Sequence, residues 1–470
     1  MEKSKIGLVG LAVMGQNFAL NIASKGFPIS VHNRSPGKID ATVARAKEEG
    51  NLPLTGYADV GEFVASLERP RRIVILVKAG APVDATIAKL VPLLDAGDII
   101  IDGGNEWYPN TERRAAKVAE AGIQYIGMGV SGGEEGARNG PSLMPGGPAD
   151  AYEAIRPIVE KVAAQVDDGP CVMHIGPGGA GNYVKMVHNG IEYGDMQLIA
   201  EAYDIMKRIG GLTNDELGDV FTQWNEGELD SFLVEITSKI FRKKDDQGQP
   251  GHLVDYILDK TGMKGTGRWT IQEGAERSVA VTTMNAALDG RFLSGLKEQR
   301  VAASSLFTDP PLPKVDKAQL VDDVRQALYC SKICSYAQGM NLIRAASEEH
   351  DWNLDPGGIA RIWKGGCIIR AGFLDQIKKA YDRNPNLPSL LVDSEFAKEL
   401  GERQAAWRRV VGLSVQSGIA AAGFSGSLAY FDTYRRASLP ANLVQAQRDF
   451  FGRHTFARTD REGTFSADWE

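Results

Sequence analysis

The alternation of apolar and polar positions divides the chain into two parts. Between residues 5 and 177, short apolar runs alternate with amphipathic, helix-like stretches. The runs predict strands at Ile6–Gly10, Ile29–His32, Ile73–Leu76, Ile99–Asp102 and Tyr125–Val130. Strands and helices that alternate on this scale are typical of βαβ units with right-handed crossovers. The first part therefore predicts an α/β fold with a parallel sheet.

From about Gly181 onward, strand-like alternation nearly disappears and long helical segments follow. These segments are Asn182–Ile209, Asn214–Glu226, Ser231–Phe241, Lys317–Glu349 and Phe396–Tyr430. They predict a large all-α domain. After Pro440 the chain is polar and rich in arginine, which indicates a short C-terminal tail. We expect a first domain over residues 1–180, an all-α domain over 181–440 and the tail over 441–470.

Composition and charge exclude several classes of protein. With 43% apolar and 24% charged residues over 470 positions, the chain has the composition of an ordinary globular protein. Its net charge of −7 argues against a dedicated nucleic-acid binder. Four cysteines without a C-x-x-C pair predict reduced thiols and no metal centre. The uncharged stretch 410–431 is crowded with serine and glycine, so it predicts a buried helix or helix pair and not a membrane span.

The first motif with chemical meaning is G-L-A-V-M-G at residues 10–15. It lies between the first predicted strand and a helix expected to begin near Gln16, which is the context of a dinucleotide-binding turn. Gly10 permits the tight turn, Ala12 is small enough for pyrophosphate to approach the backbone, and Gly15 allows close helix packing. The free N–H groups of the helix N-terminus favour phosphates. A plain strand-to-helix turn is the alternative.

The end of the second strand indicates which dinucleotide binds. An NAD site usually places an acidic residue there, but this sequence has His32, Asn33, Arg34 and Ser35, with no acid before Asp40. A carboxylate would repel the extra phosphate of NADP, whereas an arginine forms charge-assisted hydrogen bonds to it. We therefore predict NADP in preference to NAD; a solvated loop arginine is the alternative.

Three glycine-containing loops follow later strands. The loops at residues 77–80 and 102–105 are expected to face the nicotinamide, because ligands bind at the carboxyl ends of parallel strands. Asn105 is a candidate contact for both cofactor and substrate. In the glycine-rich run 131–147, residues 131–133 can form a nest for a carboxylate or for hydroxyls. An ordinary turn asparagine and a mobile loop are the alternatives.

The most informative residues lie on the first long helix. Lys185, His188, Asn189 and Glu192 are spaced i, i+3, i+4 and i+7, which places all four on one helix face. A lysine and a glutamate two turns apart can flank a small polar substrate. A partly buried lysine can lose its proton near neutral pH and act as a base. A surface salt-bridge ladder is the alternative.

Two basic clusters remain. The loop K-G-T-G-R-W-T at residues 264–270 suits a phosphate, with Arg291 as a further partner. The tail sequence Q-R-D-F-F-G-R-H-T at residues 447–455 combines arginine, histidine and aromatic side chains. We expect this tail to close over a pocket, on the same or a neighbouring subunit.

These motifs together resemble the decarboxylating, NADP-dependent 6-phosphogluconate dehydrogenases. The similarity runs from Ile6 to Thr455 and is carried above all by K-M-V-H-N-G-I-E-Y, with D-G-G-N-E-W and K-G-T-G-R-W-T in support. It implies a Rossmann-like NADP-binding domain, a large all-α domain with the substrate site and the dimer contacts, and a tail that reaches the partner subunit of a homodimer. Ser35 stands where the family often has threonine, and Arg268 where it often has lysine.

The resemblance also implies roles for individual residues. Lys185 would be the general base and acid, and Glu192 the general acid, in the conversion of 6-phosphogluconate to ribulose 5-phosphate and carbon dioxide. The implied cofactor residues are Gly10, Leu11, Ala12, Val13, Met14, Gly15, Asn33, Arg34, Ser35, Val77, Lys78, Ala79 and Asn105. The implied substrate residues are Asn105, Ser131, Gly132, Gly133, His188, Asn189, Tyr193, Lys264, Thr266, Arg291, Arg448 and His454.

Two other functions stay open at this point. One is a simpler NAD(P)-dependent β-hydroxy-acid dehydrogenase, which would use the same lysine without the phosphate-binding cations. The other is a catalytically silent NADP-binding protein. A strand-like run begins within five residues of the start, so no leader peptide is expected in this sequence. We expect a cytoplasmic protein, with the plastid stroma as the alternative.

Overall fold

A seven-stranded sheet organises the first part of the chain in the computed structural model, which describes residues 3–469. The strands are β1 (Ile6–Val9), β2 (Ile29–His32), β3 (Leu54–Tyr57), β4 (Arg72–Ile75), β5 (Ile99–Asp102), β6 (Gln124–Ser131) and β7 (Ser142–Gly146). Their order is β3-β2-β1-β4-β5-β6-β7, with β1 to β6 parallel and β7 antiparallel to β6. A small hairpin follows, β8 (Gln165–Val166) and β9 (Gly169–Pro170).

Helices accompany this sheet because its strands are apolar on both faces. All four residues of β1 and of β5 are buried, so the sheet needs a hydrophobic cover on each side. The helices are α1 (Val13–Ser24), α2 (Pro36–Glu48), α3 (Val60–Ala65), α4 (Ala81–Leu90), α5 (Tyr108–Ala119), α6 (Gly133–Asn139) and α7 (Ala149–Val162). The two resulting cores lie on opposite faces of the sheet.

Two strands of this sheet escape the apolar pattern. The edge strand β3 has the sequence L-T-G-Y and buries only Leu54 fully, so it lacks an apolar run. Strand β7 contains proline and glycine, which are unusual inside strands, although all five of its residues are buried. The run 131–147, expected to be a glycine-rich loop, therefore contains α6 and β7. Helix α1 begins at Val13, one turn before the expected Gln16.

The second part of the chain is helical. Its helices are α8 (Ala180–Arg208), α9 (Asn214–Asn225), α10 (Phe232–Arg242), α11 (Thr266–Glu276), α12 (Thr282–Gly295), α13 (Lys297–Ser304), α14 (Lys317–Glu349), α15 (Pro356–Ile362), α16 (Leu374–Arg383), α17 (Ser394–Gln416), α18 (Ala422–Tyr434) and α19 (Ala441–Gly452). The expected α/β Rossmann-like fold followed by a large helical domain is confirmed. The helical segment Phe396–Tyr430 is a helix pair interrupted at residues 417–421, which is one of the two forms expected for the uncharged stretch 410–431. Within residues 3–469, no helix is long and apolar enough to cross a membrane.

Helix α8 connects the two parts and carries the predicted catalytic side chains. Its first turn packs directly on the sheet, where a Cβ at Gly181 would overlap the backbone of β6 and β7. The Thr111 hydroxyl donates to Asn182 Oδ1 at 2.9 Å, and this bond fixes α8 against α5. Because α8 runs from this contact into the helical core, its polar face meets the carboxyl end of β6.

The C-terminal segment folds around one buried carboxylate. Asp449 of α19 accepts hydrogen bonds from the backbone N–H groups of Thr455 and Ala467, from the Ser466 hydroxyl and from the Trp469 indole N–H. Every side-chain hydrogen bond of residues 441–469 stays within that segment. The expected tail therefore has a helix and a compact structure of its own.

Candidate active site

The turn between β1 and α1 has the backbone geometry of a phosphate-binding turn. Gly10 has φ +104°, a left-handed conformation, and the carbonyl of Leu76 lies where a Cβ would stand. Asn33 Oδ1 accepts the backbone N–H of Leu11 at 3.0 Å, so the end of β2 holds the turn. The Leu11 side chain is buried in the core, whereas Ala12 and Val13 at the start of α1 are exposed.

A cleft of about 810 Å³ extends from this turn along the carboxyl ends of the strands. Its walls include Gly10, Ala12, Asn33, Arg34, Ser35, Val77 and Lys78. Two further cations, Lys38 and Lys89, also line it, and among the described residues no carboxylate does. Four cations without an acid match the additional phosphate of NADP better than the hydroxyls of NAD. The glycine turn and these cations together fit NADP.

Lys185 of α8 is the central side chain of a second group of predicted residues. It is 4% exposed, and a Cβ at Gly129 of β6 would overlap its aliphatic stem. Lys185 Nζ donates to Asn189 Oδ1 at 2.8 Å and lies 3.3 Å from His188 Nδ1. The predicted helical spacing therefore brings these three side chains into direct contact.

Neighbouring elements complete this cluster. His188 Nε2 lies 3.2 Å from the Ser131 hydroxyl at the end of β6. Asn189 Nδ2 donates to Thr266 Oγ1 at 3.1 Å, at the first residue of α11. Five predicted residues from three separate elements thus form one continuous hydrogen-bonded group.

Burial shifts the ionisation of this group. Burial lowers the pKa of Lys185 from the usual 10.5 to about 8, although the charge of Glu192 opposes the change. Burial and the neighbouring Lys185 charge keep the pKa of His188 well below its usual value. Burial raises the pKa of Glu192, while Lys185, Arg291 and Lys264 counteract part of that rise. Burial therefore favours the neutral form of Lys185 and the protonated form of Glu192.

The other predicted substrate residues are only partly brought together in this structure. The Arg291 guanidinium lies 3.6 Å from the centre of the Tyr193 ring, as in a cation–π pair. Lys264 and Asn105 are exposed. Gly132 and Gly133 lie at the start of α6, directly after Ser131. Within residues 3–469, no hydrogen bond joins Lys264, Asn105 or Arg291 to the group around Lys185.

Arg448 and His454 stand apart from the other predicted residues in this chain. Arg448 donates to Gln445 at 3.0 Å, and the His454 ring packs edge-on against Phe451. Neither makes a hydrogen bond to another predicted site residue within residues 3–469. Both are exposed on the compact C-terminal segment.

Sequence reasoning missed two supporting residues. Trp363 packs edge-on against the His188 ring, with 5.6 Å between the ring centres. Gly129 makes room for the Lys185 stem. The sequence Y-I-G-M-G-V-S carried a signal for Gly129, since glycines inside a strand often mark a close approach. Nothing comparable marks Trp363.

Comparisons with known proteins identify the family of the chain. A model described as the NAD binding domain of 6-phosphogluconate dehydrogenase matches residues 5–176, and one described as the C-terminal domain of 6-phosphogluconate dehydrogenase matches residues 181–469. The decarboxylating 6-phosphogluconate dehydrogenase 3, chloroplastic, of Arabidopsis thaliana is 66% identical and aligns with 99% of this chain and 97% of its own length. The decarboxylating enzyme of Synechococcus elongatus is 57% identical over the full length of both chains.

A solved structure agrees over the same length. The 6-phosphogluconate dehydrogenase of Plasmodium falciparum, described in its apo form, with its cofactor NADP+ and with its substrate 6-phosphogluconate, superposes with a TM-score of 0.95. The two chains are 52% identical, and the match covers 99% of this chain and 100% of the other. With family models over both parts and full-length relatives at these identities, the chain belongs to the decarboxylating 6-phosphogluconate dehydrogenase family.

Proposed function

We propose that the chain catalyses the oxidative decarboxylation of 6-phosphogluconate to ribulose 5-phosphate and carbon dioxide, with NADP as the oxidant. The observation that carries this proposal is Lys185, a buried lysine with a pKa lowered to about 8. Lys185 belongs to a hydrogen-bonded group of polar side chains and donates a hydrogen bond to Asn189. The family membership supports the same reaction.

NADP would be held by the G-L-A-V-M-G turn, by Arg34 and Ser35 at its additional phosphate, and by the loop 77–79. When bound, it accepts a hydride from carbon 3 of the substrate. The exposed Asn105 would contact both cofactor and substrate, since its loop follows β5, near the centre of the sheet's carboxyl edge.

Lys185 would enter the reaction neutral and remove the proton of the carbon-3 hydroxyl as the hydride leaves. The product is a β-keto acid, in which the bond between carbons 1 and 2 breaks and carbon dioxide departs. The electron pair of that bond moves to the carbon-3 carbonyl oxygen, and the protonated Lys185 returns its proton there. The result is an enediol. Asn189, which accepts a hydrogen bond from Lys185 Nζ, keeps the amine aimed at this oxygen.

Glu192 would complete the reaction as a general acid. It would deliver its proton to the carbon that lost carbon dioxide, while Lys185 takes back the enediol proton and the ketone of ribulose 5-phosphate forms. A carboxylic acid with a raised pKa suits this step, because burial favours its protonated form. His188, Ser131 and the backbone of residues 132–133 would orient the carboxylate and hydroxyls of the sugar.

The substrate phosphate would be bound by Tyr193, Lys264, Thr266 and Arg291 together with Arg448 and His454 of a second subunit. The C-terminal segment supports this arrangement, because its hydrogen bonds are internal and Leu443, Val444, Phe450 and Phe451 are exposed. Apolar side chains on such a segment favour contact with a second copy of the chain. We therefore propose a homodimer in which each tail completes the other site.

The same organisation gives the proposed domains: the NADP-binding part at residues 1–180, the all-α part at 181–440 and the tail at 441–470. The cellular compartment is proposed to be the cytoplasm, with the plastid stroma as the alternative. Relatives named as chloroplastic support the second possibility. The related Synechococcus protein carries no such designation.

Product analysis tests the reaction directly. The protein is incubated with 6-phosphogluconate and NADP, and NADPH and trapped carbon dioxide are measured together; unphosphorylated gluconate and NAD are the controls. We expect equal amounts of the two products and little turnover in the controls. NADPH without carbon dioxide would instead identify a simple β-hydroxy-acid dehydrogenase. Tight NADP binding without any turnover would identify a silent binding protein.

A further inference from the structure

A buried ion pair joins the two loops that follow β4 and β5. Glu106 Oε2 lies 2.6 Å from Arg114 Nη1, and each residue is 2% exposed. Glu106 directly follows Asn105 in the loop after β5, whereas Arg114 lies on α5. The pair is therefore enclosed in protein immediately beside a proposed contact of both cofactor and substrate.

The two side chains hold the neighbouring loop by its backbone. Gly80 is the last residue of the loop 77–80. It donates its N–H to Glu106 Oε2 at 2.8 Å, and its carbonyl accepts a hydrogen bond from Arg114 Nη2 at 3.0 Å. One peptide segment is thus bonded to both members of the ion pair. Arg114 also bonds to Asp84 in the first turn of α4, through Nε at 3.0 Å.

Glu106 bonds equally to its own loop. Its second oxygen, Oε1, accepts the backbone N–H of Trp107 at 2.9 Å and Asn110 Nδ2 at 3.0 Å. Burial alone would raise the pKa of Glu106, but the hydrogen bonds from Arg114, Asn110, Gly80 and Trp107 lower it overall, so this carboxylate stays ionised. An ionised carboxylate with this many donors fixes its surroundings firmly.

We propose that Glu106 and Arg114 are positioning residues that lock the loops 77–80 and 102–107 to each other, so that NADP and Asn105 are presented in one fixed relation. This inference rests on the proposed placement of NADP on the loop 77–79 and at Asn105. Among the described residues, no other hydrogen bond joins residues 77–80 directly to residues 102–107. Without the lock, NADP binding would have to order the two loops, and this ordering would lower the affinity for NADP.

A second buried ion pair in the same sheet provides the matched control. Asp98 lies just before β5, at the opposite end of that strand, and is 2% exposed. Asp98 Oδ2 lies 2.7 Å from Arg71 Nη1. The Asp98 carboxylate also accepts hydrogen bonds from the backbone N–H groups of Arg71 at 2.6 Å and Asp95 at 2.9 Å. It resembles Glu106 in burial and in its partners, but it lies at the amino end of the strands, away from the cleft.

The test compares Glu106→Gln with Asp98→Asn in the full-length protein. Each change keeps the size of the side chain and removes one charged acceptor, so we expect both variants to melt at lower temperature. Glu106→Gln is expected to raise the NADP dissociation constant, measured by calorimetric titration, and the KM for NADP by about tenfold. Asp98→Asn should leave both constants within about twofold of the wild type.

Unchanged NADP affinity in Glu106→Gln despite a lower melting temperature would overturn the proposal, as would equal weakening in Asp98→Asn. If Glu106→Gln does not fold, Asp84→Asn removes a more exposed partner of Arg114 and should weaken NADP binding about threefold. Asn105→Ala distinguishes a failure of the positioning role from a failure of the loop assignment. If Asn105→Ala impairs turnover and Glu106→Gln leaves NADP binding intact, the positioning role alone fails. If Asn105→Ala changes nothing, the loop assignment fails and the positioning role with it.

Discussion

Replacing Lys185 with arginine separates the positive charge of this side chain from its ability to act as a base. Arginine keeps the donor and the charge, but it stays protonated at every pH in which the protein is folded. The proposed first step needs a neutral amine. A general base contributes about 10²–10⁴ to a rate, so we expect kcat of Lys185→Arg to fall about a thousandfold. Substrate affinity should change much less, because the cation remains.

The pH dependence of wild-type activity tests the need for a neutral Lys185 independently. With a pKa of about 8, about one Lys185 side chain in eleven is neutral at pH 7 and about half are neutral at pH 8. The kcat/KM for 6-phosphogluconate should therefore rise about fivefold from pH 7 to pH 8, and less than twofold from pH 8 to pH 9. The substrate phosphate does not interfere, because it is already dianionic over this range.

The assay is the initial rate of NADPH formation at saturating NADP, at several pH values and in buffers of equal ionic strength. An unperturbed lysine would give a tenfold rise for every pH unit up to pH 9. That profile, or a Lys185→Arg enzyme within tenfold of the wild type, would refute the role of a neutral Lys185.

Three further predictions test separate parts of the structure. Arg34→Ala should raise the KM for NADP about tenfold and leave the KM for NAD unchanged, because only NADP carries the extra phosphate; equal effects on both cofactors would contradict the assignment. Gly190→Ala should destabilise the protein by about 1–3 kcal/mol in urea unfolding, since its Cβ would lie 2.5 Å from a threonine methyl of α11. The matched Gly412→Ala, with no atom within 4 Å, should stabilise it by about 0.5–1 kcal/mol. Lys332→Met should lower the free energy of unfolding by about 3–5 kcal/mol, because it leaves the buried Asp195 carboxylate without the lysine that lies 2.5 Å away. Adding Asp195→Leu should recover most of that loss. A Lys332→Met protein of unchanged stability would argue against the buried pair.

Local patterns in the sequence were sufficient wherever one element alone carries the information. The apolar runs predicted β1, β2, β4, β5 and β6, because buried parallel strands need continuous apolar residues. The spacing of Lys185, His188 and Asn189 predicted their common face, because the helical period alone decides it. The absence of an acid after β2 predicted a cationic cofactor cleft in the same way.

Partners that are distant along the chain could not be predicted, because no local pattern records them. Strand β7 forms through its pairing with β6, which no local pattern records, and its P-G ending gives the opposite local signal. The lowered pKa of Lys185 results from burial, including burial against Gly129, and that burial depends on how α8 packs on the sheet.

The residues themselves therefore determined which chemistry is available: a lysine, a histidine, an asparagine and a glutamate on one helix face, beside a glycine turn and a set of cations. Tertiary structure alone decided the state of that chemistry. It buries Lys185, bonds His188 to Ser131 and Asn189 to Thr266, and ties Gly80 to Glu106 and Arg114. The physical reason is that desolvation and hydrogen-bond distance depend on three-dimensional packing, whereas helical period and residue type are properties of the chain alone.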